Sequence, residues 1–479
     1  MGNKEVLICS FSAVLFCIVL KNLNPLEKHQ AELAVCIVSK RENFEHRKAI
    51  RKSWLSYVGQ SGKNVVAKFV VGKLPCPVHP QNKIDPHSCD RWEPKVPENS
   101  LISLFNLTKG NNPKKCRVVT YFHIQVMHNI MLNRIGLAEV FPLQHLYSNE
   151  TVEVILYDAV SDEEIAIAHF SKKINGAISD GFIYKSSFKI LLPKGYEFTL
   201  EVKLPERFKL QEWVDLDKEL QMYDGKESHN NILNIKYLDQ DGTVLSHRVT
   251  LLPLASLMFV VHNIPILKEH IQTAAERDAA YLQEANVISS KLLKEQSHHQ
   301  DMILVDIVDT YRSLPDKILL CHEWFHNYYS IKDVLKTDDD CYVDLEKILA
   351  AKKEVGSDQM MWWGNFRTNW VVERHGKWRE LTYSGSVYPR FACGSGYVVS
   401  HNIHSWLVSN KNSLQRFQGE DVSVGIWLSG LRIHHVQDDS WQCGKTCQKG
   451  LLSLPELTPE SIQWHWNNSK VCHNPCESC

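Results

Sequence analysis

From Leu33 to Ser39 the chain runs apolar without polar alternation and is rich in β-branched residues, the pattern of a strand buried on both faces. Phe44 to Tyr57 changes period: Ile50 and Trp54 fall on one helical face, and Arg47 and Arg51 sit one turn apart. Val65 to Val71 is apolar again, so strand, helix and strand open an α/β fold. Pro, Asn and charge then dominate from about Leu74 to Cys116, with Cys76, Cys89 and Cys116 as candidate staples. Arg117 to about His262 alternates in segments such as Thr151 to Tyr157 and Tyr196 to Val202. Turn signals at Asn175-Gly176, Lys194-Gly195 and Asp241-Gly242 separate them, which predicts an antiparallel β-domain, a sandwich. Helical composition returns from Pro265 to about Glu295. Asp301 to Asp309 then predicts a buried strand, Lys317 to Tyr328 a helix, and Leu335 leads into Asp338-Asp339-Asp340. Asp344 to Glu354 reads as helix, Met360 to Phe366 and Phe391 to Ser400 as strands, and Asp421 to Leu431 as a helix. The pattern predicts one α/β domain, residues 33–116 and 263–479, interrupted by a β-rich insertion over 117–262.

The 479 residues have an ordinary globular composition and a formal net charge of −1, which leaves no basic footprint for nucleic acid. Val6 to Leu20 is an uncharged, mostly apolar run; at ~1.5 Å per residue it falls short of a ~30 Å hydrocarbon core. No A-x-A-like cleavage site follows, so residues 1–22 are expected to act as an uncleaved signal-anchor and 23–32 as a short stem. Asn106-Leu107-Thr108, Asn149-Glu150-Thr151 and Asn467-Asn468-Ser469 are glycosylation sequons. Of the 14 cysteines, Cys9 and Cys17 lie in the apolar run, leaving 12, and Cys443, Cys447, Cys472, Cys476 and Cys479 crowd the tail. In a lumenal protein these read as disulfides, with a zinc site including His473 as the lesser alternative. The expected topology is a single-pass type II protein of the secretory pathway, with its body in the lumen.

In an extended chain Asp338 and Asp340 share a face and Asp339 points the other way. Such a carboxylate pair suits Mg²⁺ or Mn²⁺, which take oxygen ligands and keep positions for water and substrate phosphates. A bare Asp triplet is also what an acidic surface turn looks like. An EF-hand loop is excluded, because Val343 stands where the sharp turn needs Gly.

Four ordered blocks decide the matter. Arg47-Lys48-Ala49-Ile50-Arg51-Lys52-Ser53-Trp54, the Lys336-to-Val343 block, Tyr388-Pro389 with Ala392 to Tyr397, and Glu420-Asp421-Val422-Ser423-Val424-Gly425 together resemble glycosyltransferase family 31, the β-1,3-glycosyltransferases. The resemblance implies a GT-A fold, a UDP-sugar donor, Mn²⁺ (or Mg²⁺) and a glycan acceptor on a glycoprotein. The segments Trp362 to Trp370, Gly376 to Leu381 and Cys443 to Cys447 are most similar to members that move N-acetylgalactosamine from UDP-GalNAc in β-1,3 linkage to a GlcNAc-ended O-mannosyl glycan, such as those of α-dystroglycan. Galactose or N-acetylglucosamine transfer, or glycan binding without catalysis, are the alternatives.

On this resemblance Asp421 is the base that takes the acceptor proton, a role worth ~10²–10⁴-fold. The other reading of Glu420 and Asp421 is that they only favour a helix N-terminus. Asp340 is the first metal ligand and Asp338 assists it, with His434 a candidate third ligand against His435, Asp438 or Asp439. Donor contacts fall to Arg47, Arg51, Asp338, Asp339, Gly394 and Gly396. The arginines could instead line a solvated helix face, and the glycines could mark a bulge. Trp362, Trp370 and Glu420 are the acceptor candidates, although tryptophans also serve simply as core.

Overall fold

The computed structural model describes residues 28–60, 64–111, 114, 116–173, 175–210, 220–239, 242–245, 250–355 and 359–478. The expected signal-anchor lies outside the described residues. Among them, no helix is long and apolar enough to cross a membrane.

The apolar runs become a seven-stranded sheet of β1 (His29–Val38), β2 (Val65–Leu74), β3 (Met302–Val308), β4 (Tyr329–Asp338), β5 (Met361–Arg367), β6 (Phe391–Ser400) and β7 (His434–Gln437), in the order β3-β2-β1-β4-β6-β5-β7. β6 alone runs antiparallel to its neighbours. The other pairings in the sheet are parallel. Helices cover both faces: α1 (Phe44–Lys52), α2 (Ile264–His299), α3 (Leu314–Tyr328), α4 (Leu345–Val355), α5 (His401–Asn410), α6 (Glu420–Leu428) and α7 (Pro459–Val471). That double cover is why β1 carries no polar alternation: Leu33, Val35 and Ile37 enter one apolar cluster and Ala34, Cys36 and Val38 the other. α1 stops at Lys52 and α6 at Leu428, each shorter than the sequence pattern suggests.

The insertion forms two five-stranded sheets. One holds Ala177–Ser179, Phe182–Leu192, Ile130–Ala138, Ala255–Val261 and Ile102–Ser103; the other holds Leu233–Leu238, Tyr121–Val126, Glu197–Lys203, Thr151–Asp158 and Glu164–Ser171. Neighbouring strands in both are antiparallel. Phe122, Ile124, Phe198 and Leu200 of one sheet share an apolar cluster with Leu132, Ile135, Leu257 and Phe259 of the other. The strand Ile102–Ser103 and the buried Trp92 join this unit upstream of Arg117. α2 links the two parts, with Leu267 in the insertion's core and Leu292 in that of the seven-stranded sheet.

Disulfides join Cys36–Cys321, Cys76–Cys89, Cys393–Cys443 and Cys447–Cys476. The tail cysteines therefore pair with each other and with β6. Asn106, Asn149 and Asn467 are all exposed.

Candidate active site

Open α/β sheets place ligands beyond the carboxyl ends of their strands. Val38 is in register with Asp338 there, and Thr337 with Gly396 of the reversed β6. Lys336 and Asp338 share a face of β4, and Lys336 is fully buried. A buried ammonium must be paired: its Nζ sits 2.9 Å from Asp338, ion-pairs with Glu420, and donates to the Gly394 carbonyl at 2.7 Å. One lysine thus ties β4, β6 and the start of α6 together.

Asp421 follows Glu420 at the N-terminus of α6. The N-cap is Gly419, where a Cβ would come within 2.9 Å of Asp421 Oδ1. Asp421 Oδ1 accepts the Val422 N–H at 2.8 Å. Burial first, and then the neighbouring Glu420, push the Asp421 carboxyl up to about 7, against the opposing pull of Lys336. Burial also pushes the Asp338 carboxyl up, opposed by Lys336 and reinforced by Glu420 and Asp340. The Asp338 side chain keeps 35% exposure, so it lies on the floor of an open cleft rather than in a closed core. Lys336 and Glu420 act on both carboxyls.

On the Asp421 side lies a cavity of about 230 Å³ whose walls include Arg367, Trp370, Glu373, Trp378 and Tyr311; Asp338 and Asp340 are not part of its lining. Trp370 and Trp378 are 40% and 48% exposed. The Arg367 guanidinium lies 4.9 Å from the Trp370 ring centre. The strap from Trp370 to Tyr388 that carries both tryptophans closes on itself through the Tyr388 N–H and the Trp370 carbonyl at 2.8 Å. Buried Glu380 fastens it: one carboxylate oxygen accepts from Thr382 and Tyr383, and the other from the Gln418 N–H at 2.8 Å, just before α6.

Several expectations are corrected. Arg47 and Arg51 turn away from the cleft. Arg47 is fully buried and pairs with Glu295 at 2.8 Å, while Arg51 bridges Glu295 and Asp301 at 2.6 and 2.7 Å. Both are drawn to carboxylates at the end of α2, not to a donor. Asp339 faces the opposite side of β4 from Asp338, and its oxygens accept from Ser39 Oγ at 2.5 Å and Asn43 Nδ2 at 3.1 Å, fixing the β1–α1 loop. Gly396 makes room for Trp441, whose ring would lie 2.7 Å from a Cβ there; Gly394 does face the Glu420–Lys336–Asp338 cluster. Trp362 is fully buried against Phe366, Tyr397 and His435, leaving Trp370 as the exposed ring. Glu420 is buried on Lys336 rather than open to an acceptor. His434 pairs with Met361 at the start of β5, the end of the sheet away from the cleft; β7 reaches the cleft end only at Gln437 and the following Asp438. Asp438 accepts the Trp363 indole N–H at 3.0 Å.

Sequence reasoning left Lys336 without a role and missed Glu380, Arg367 and Trp378. Lys336 carried a readable signal, since a lysine inside a buried strand two residues before an aspartate needs that partner. Glu380 carried none.

The fold and cleft fit the glycosyltransferase class: a carboxylate pair at the end of a central parallel strand, Asp421 at the start of α6, and a tryptophan-walled cavity that Asp421 lines. Residues 282–439 match the sequence profile of the Galactosyltransferase family. The chain is 32% identical over 468 residues to UDP-GalNAc:beta-1,3-N-acetylgalactosaminyltransferase 2 of Xenopus tropicalis, covering 93% of this chain and 91% of that protein. It is also 32% identical over 471 residues to the Homo sapiens protein of the same name, covering 93% and 89%. Beta-1,3-galactosyltransferase 6 of Mus musculus matches at 29% over 175 residues, 35% of this chain and 54% of that protein. The chain belongs to this family of β-1,3-glycosyltransferases. Only 7% of it lies outside the first match, so the insertion is shared with those relatives.

Proposed function

We propose that the cleft moves N-acetylgalactosamine from UDP-GalNAc to the 3-hydroxyl of a terminal GlcNAc on an O-mannosyl glycan, with inversion. One observation carries this reading: Asp421 lines a tryptophan-walled cavity whose lining includes neither Asp338 nor Asp340, so we read the cleft as having an Asp338–Asp340 side and an Asp421 side. An inverting displacement needs that division, because the leaving UDP and the attacking hydroxyl occupy opposite faces of the donor sugar. The names of the whole-length relatives support the donor and the linkage.

A hard divalent cation fits the first side. Its donor set is carboxylate oxygen from Asp338 and Asp340, and the Lys336 ammonium is shared between Asp338 and Glu420. Asp340 and Asp338 would hold Mn²⁺, which supplies Lewis-acid stabilisation of the charge developing on the β-phosphate. On the second side Asp421 accepts the proton of the attacking hydroxyl. Its raised carboxyl suits that task, since a base works best with a pKa near the operating pH. Trp370 and Trp378 offer apolar faces for the acceptor ring, and Gly394 lets the donor approach the β6 backbone.

The seven-stranded unit is read as a GT-A-like domain and the insertion as a β-sandwich. The disulfides among the described residues and three exposed sequons support a secretory-pathway lumen, with Asn106, Asn149 and Asn467 as glycan-bearing sites and the membrane reached through the N-terminal segment. The test is to incubate the protein with a GlcNAc acceptor, Mn²⁺ and, in turn, UDP-GalNAc, UDP-Gal and UDP-GlcNAc. UDP-GalNAc is expected to give the highest kcat/KM; a clear preference for either of the others would overturn the donor assignment.

A further inference from the structure

We infer that the inserted β-domain completes the acceptor site, binding the sugar next to the terminal one in a groove on its own sheet. The inference rests on reading the cleft as a glycosyl-transfer site. It begins with a strand pair. Tyr121 is in register with Glu201, His123 with Thr199 and Gln125 with Glu197, and these alternate with the core residues Phe122, Ile124, Phe198 and Leu200. The polar face does not look into open water. Residues 371–375 of the strap pass over it and enclose about 760 Å³, within the ~300–1,000 Å³ typical of small-molecule sites. Glu373 lines both this groove and the cavity that holds Asp421, so the two are neighbours on either side of that residue.

The roof is built to hold its place. The Val244 N–H of the insertion donates to the Leu381 carbonyl at 2.7 Å. Arg374 donates to the carbonyls of Glu380, Tyr383 and Gly385 at 2.8, 2.9 and 3.1 Å, which fixes the strap from inside. Arg379 approaches Glu197 at 3.7 Å and Asp85 at 3.8 Å in a separate cavity that Gln125 also lines. The chemistry of the face favours a neutral polyhydroxyl ligand. Tyr121, Thr199 and Glu201 line this face together, with Tyr121 directly opposite Glu201 in the strand register. Arg374 is spent on backbone carbonyls, and His123 faces Glu197 at 3.2 Å, so neither is presented to a phosphate. An extended peptide is disfavoured because both strands are interior to their sheet, with their backbone groups already paired.

The test uses the full chain with two acceptors, methyl β-N-acetylglucosaminide and a GlcNAc-mannose disaccharide. Wild type should prefer the disaccharide. Tyr121→Ala and Glu201→Gln should each raise its KM about tenfold, the scale of one or two lost neutral hydrogen bonds, with kcat and monosaccharide kcat/KM unchanged. Equal effects on both acceptors, or no disaccharide preference in wild type, would overturn the groove. Absence of transfer to either acceptor would count instead against the transferase reading. The groove is then read without turnover, by titrating the disaccharide into Asp421→Asn protein followed by NMR. Weaker binding once Tyr121→Ala is added supports the inference, and unchanged binding refutes it.

Discussion

Asp421→Asn keeps shape and removes one function. Asn retains an Oδ1 that accepts the Val422 N–H, so the start of α6 is preserved. What it loses is the proton acceptor, worth ~10²–10⁴ in rate, or about 2.7–5.4 kcal/mol on the barrier at ~1.36 kcal/mol per decade. The pH dependence adds a second signature. The Asp421 carboxyl is pushed up to about 7, so wild-type kcat should climb as pH rises through about 7 and the base loses its proton. The Asn variant should be flat over that interval. Stability should move the other way. Between the unfolded value near ~3.9 and about 7 the folded state holds the extra proton, so this residue's contribution falls as pH rises across that window and is constant above it. Replacing Asp421 removes that loss, and the variant should melt no lower than wild type at pH about 8. Initial rates from UDP release between pH about 5.5 and 9, with melting curves alongside, check both. A variant that keeps wild-type rate, or a lower rate with the same pH profile, would refute the base assignment.

Lys336→Met should destabilise the protein by ~3–5 kcal/mol in urea titration, because it leaves Asp338 and Glu420 without their buried partner; adding Glu420→Gln should recover part of the loss. Arg47→Ala should cost ~1.5–3 kcal/mol, since Glu295 loses one of its two arginine partners and keeps Arg51, while leaving UDP affinity by calorimetry unchanged, and a selective loss of UDP binding would return Arg47 to the donor site. Mn²⁺ should raise the wild-type melting temperature and not that of Asp340→Ala, whereas equal shifts would remove Asp340 as a ligand.

Much of the catalytic unit is legible in the chain because burial on both faces writes a strand as an unbroken apolar run, as in Leu33 to Val38. The Asp338/Asp339 alternation is legible for a similar reason, since the pleat alone sends the two side chains apart. What failed depended on partners distant in sequence. Arg47 and Arg51 show helical spacing, but nothing local says that Glu295, 248 residues beyond Arg47, is waiting for them. Gly396 reads as a donor-contact or bulge glycine until Trp441 is known to pack on it. His434 lies in the expected stretch, yet the direction of β7 decides which end of the sheet it occupies, and a four-residue strand does not declare its direction. Trp362 and Trp370 differ for a readable reason: one lies within β5, the other just past its end at the cleft. The upstream start of the insertion rests on a two-residue strand, too short to leave a pattern.

The most direct test is the stereochemistry of the product. Wild-type protein, UDP-GalNAc, Mn²⁺ and a GlcNAc glycoside should give a single disaccharide whose proton NMR spectrum shows a β-anomeric GalNAc linked to O3, as expected if the carboxylate pair Asp338–Asp340 and the base Asp421 act on opposite faces of the donor sugar. An α linkage, or attachment at another hydroxyl, would contradict that division of the cleft.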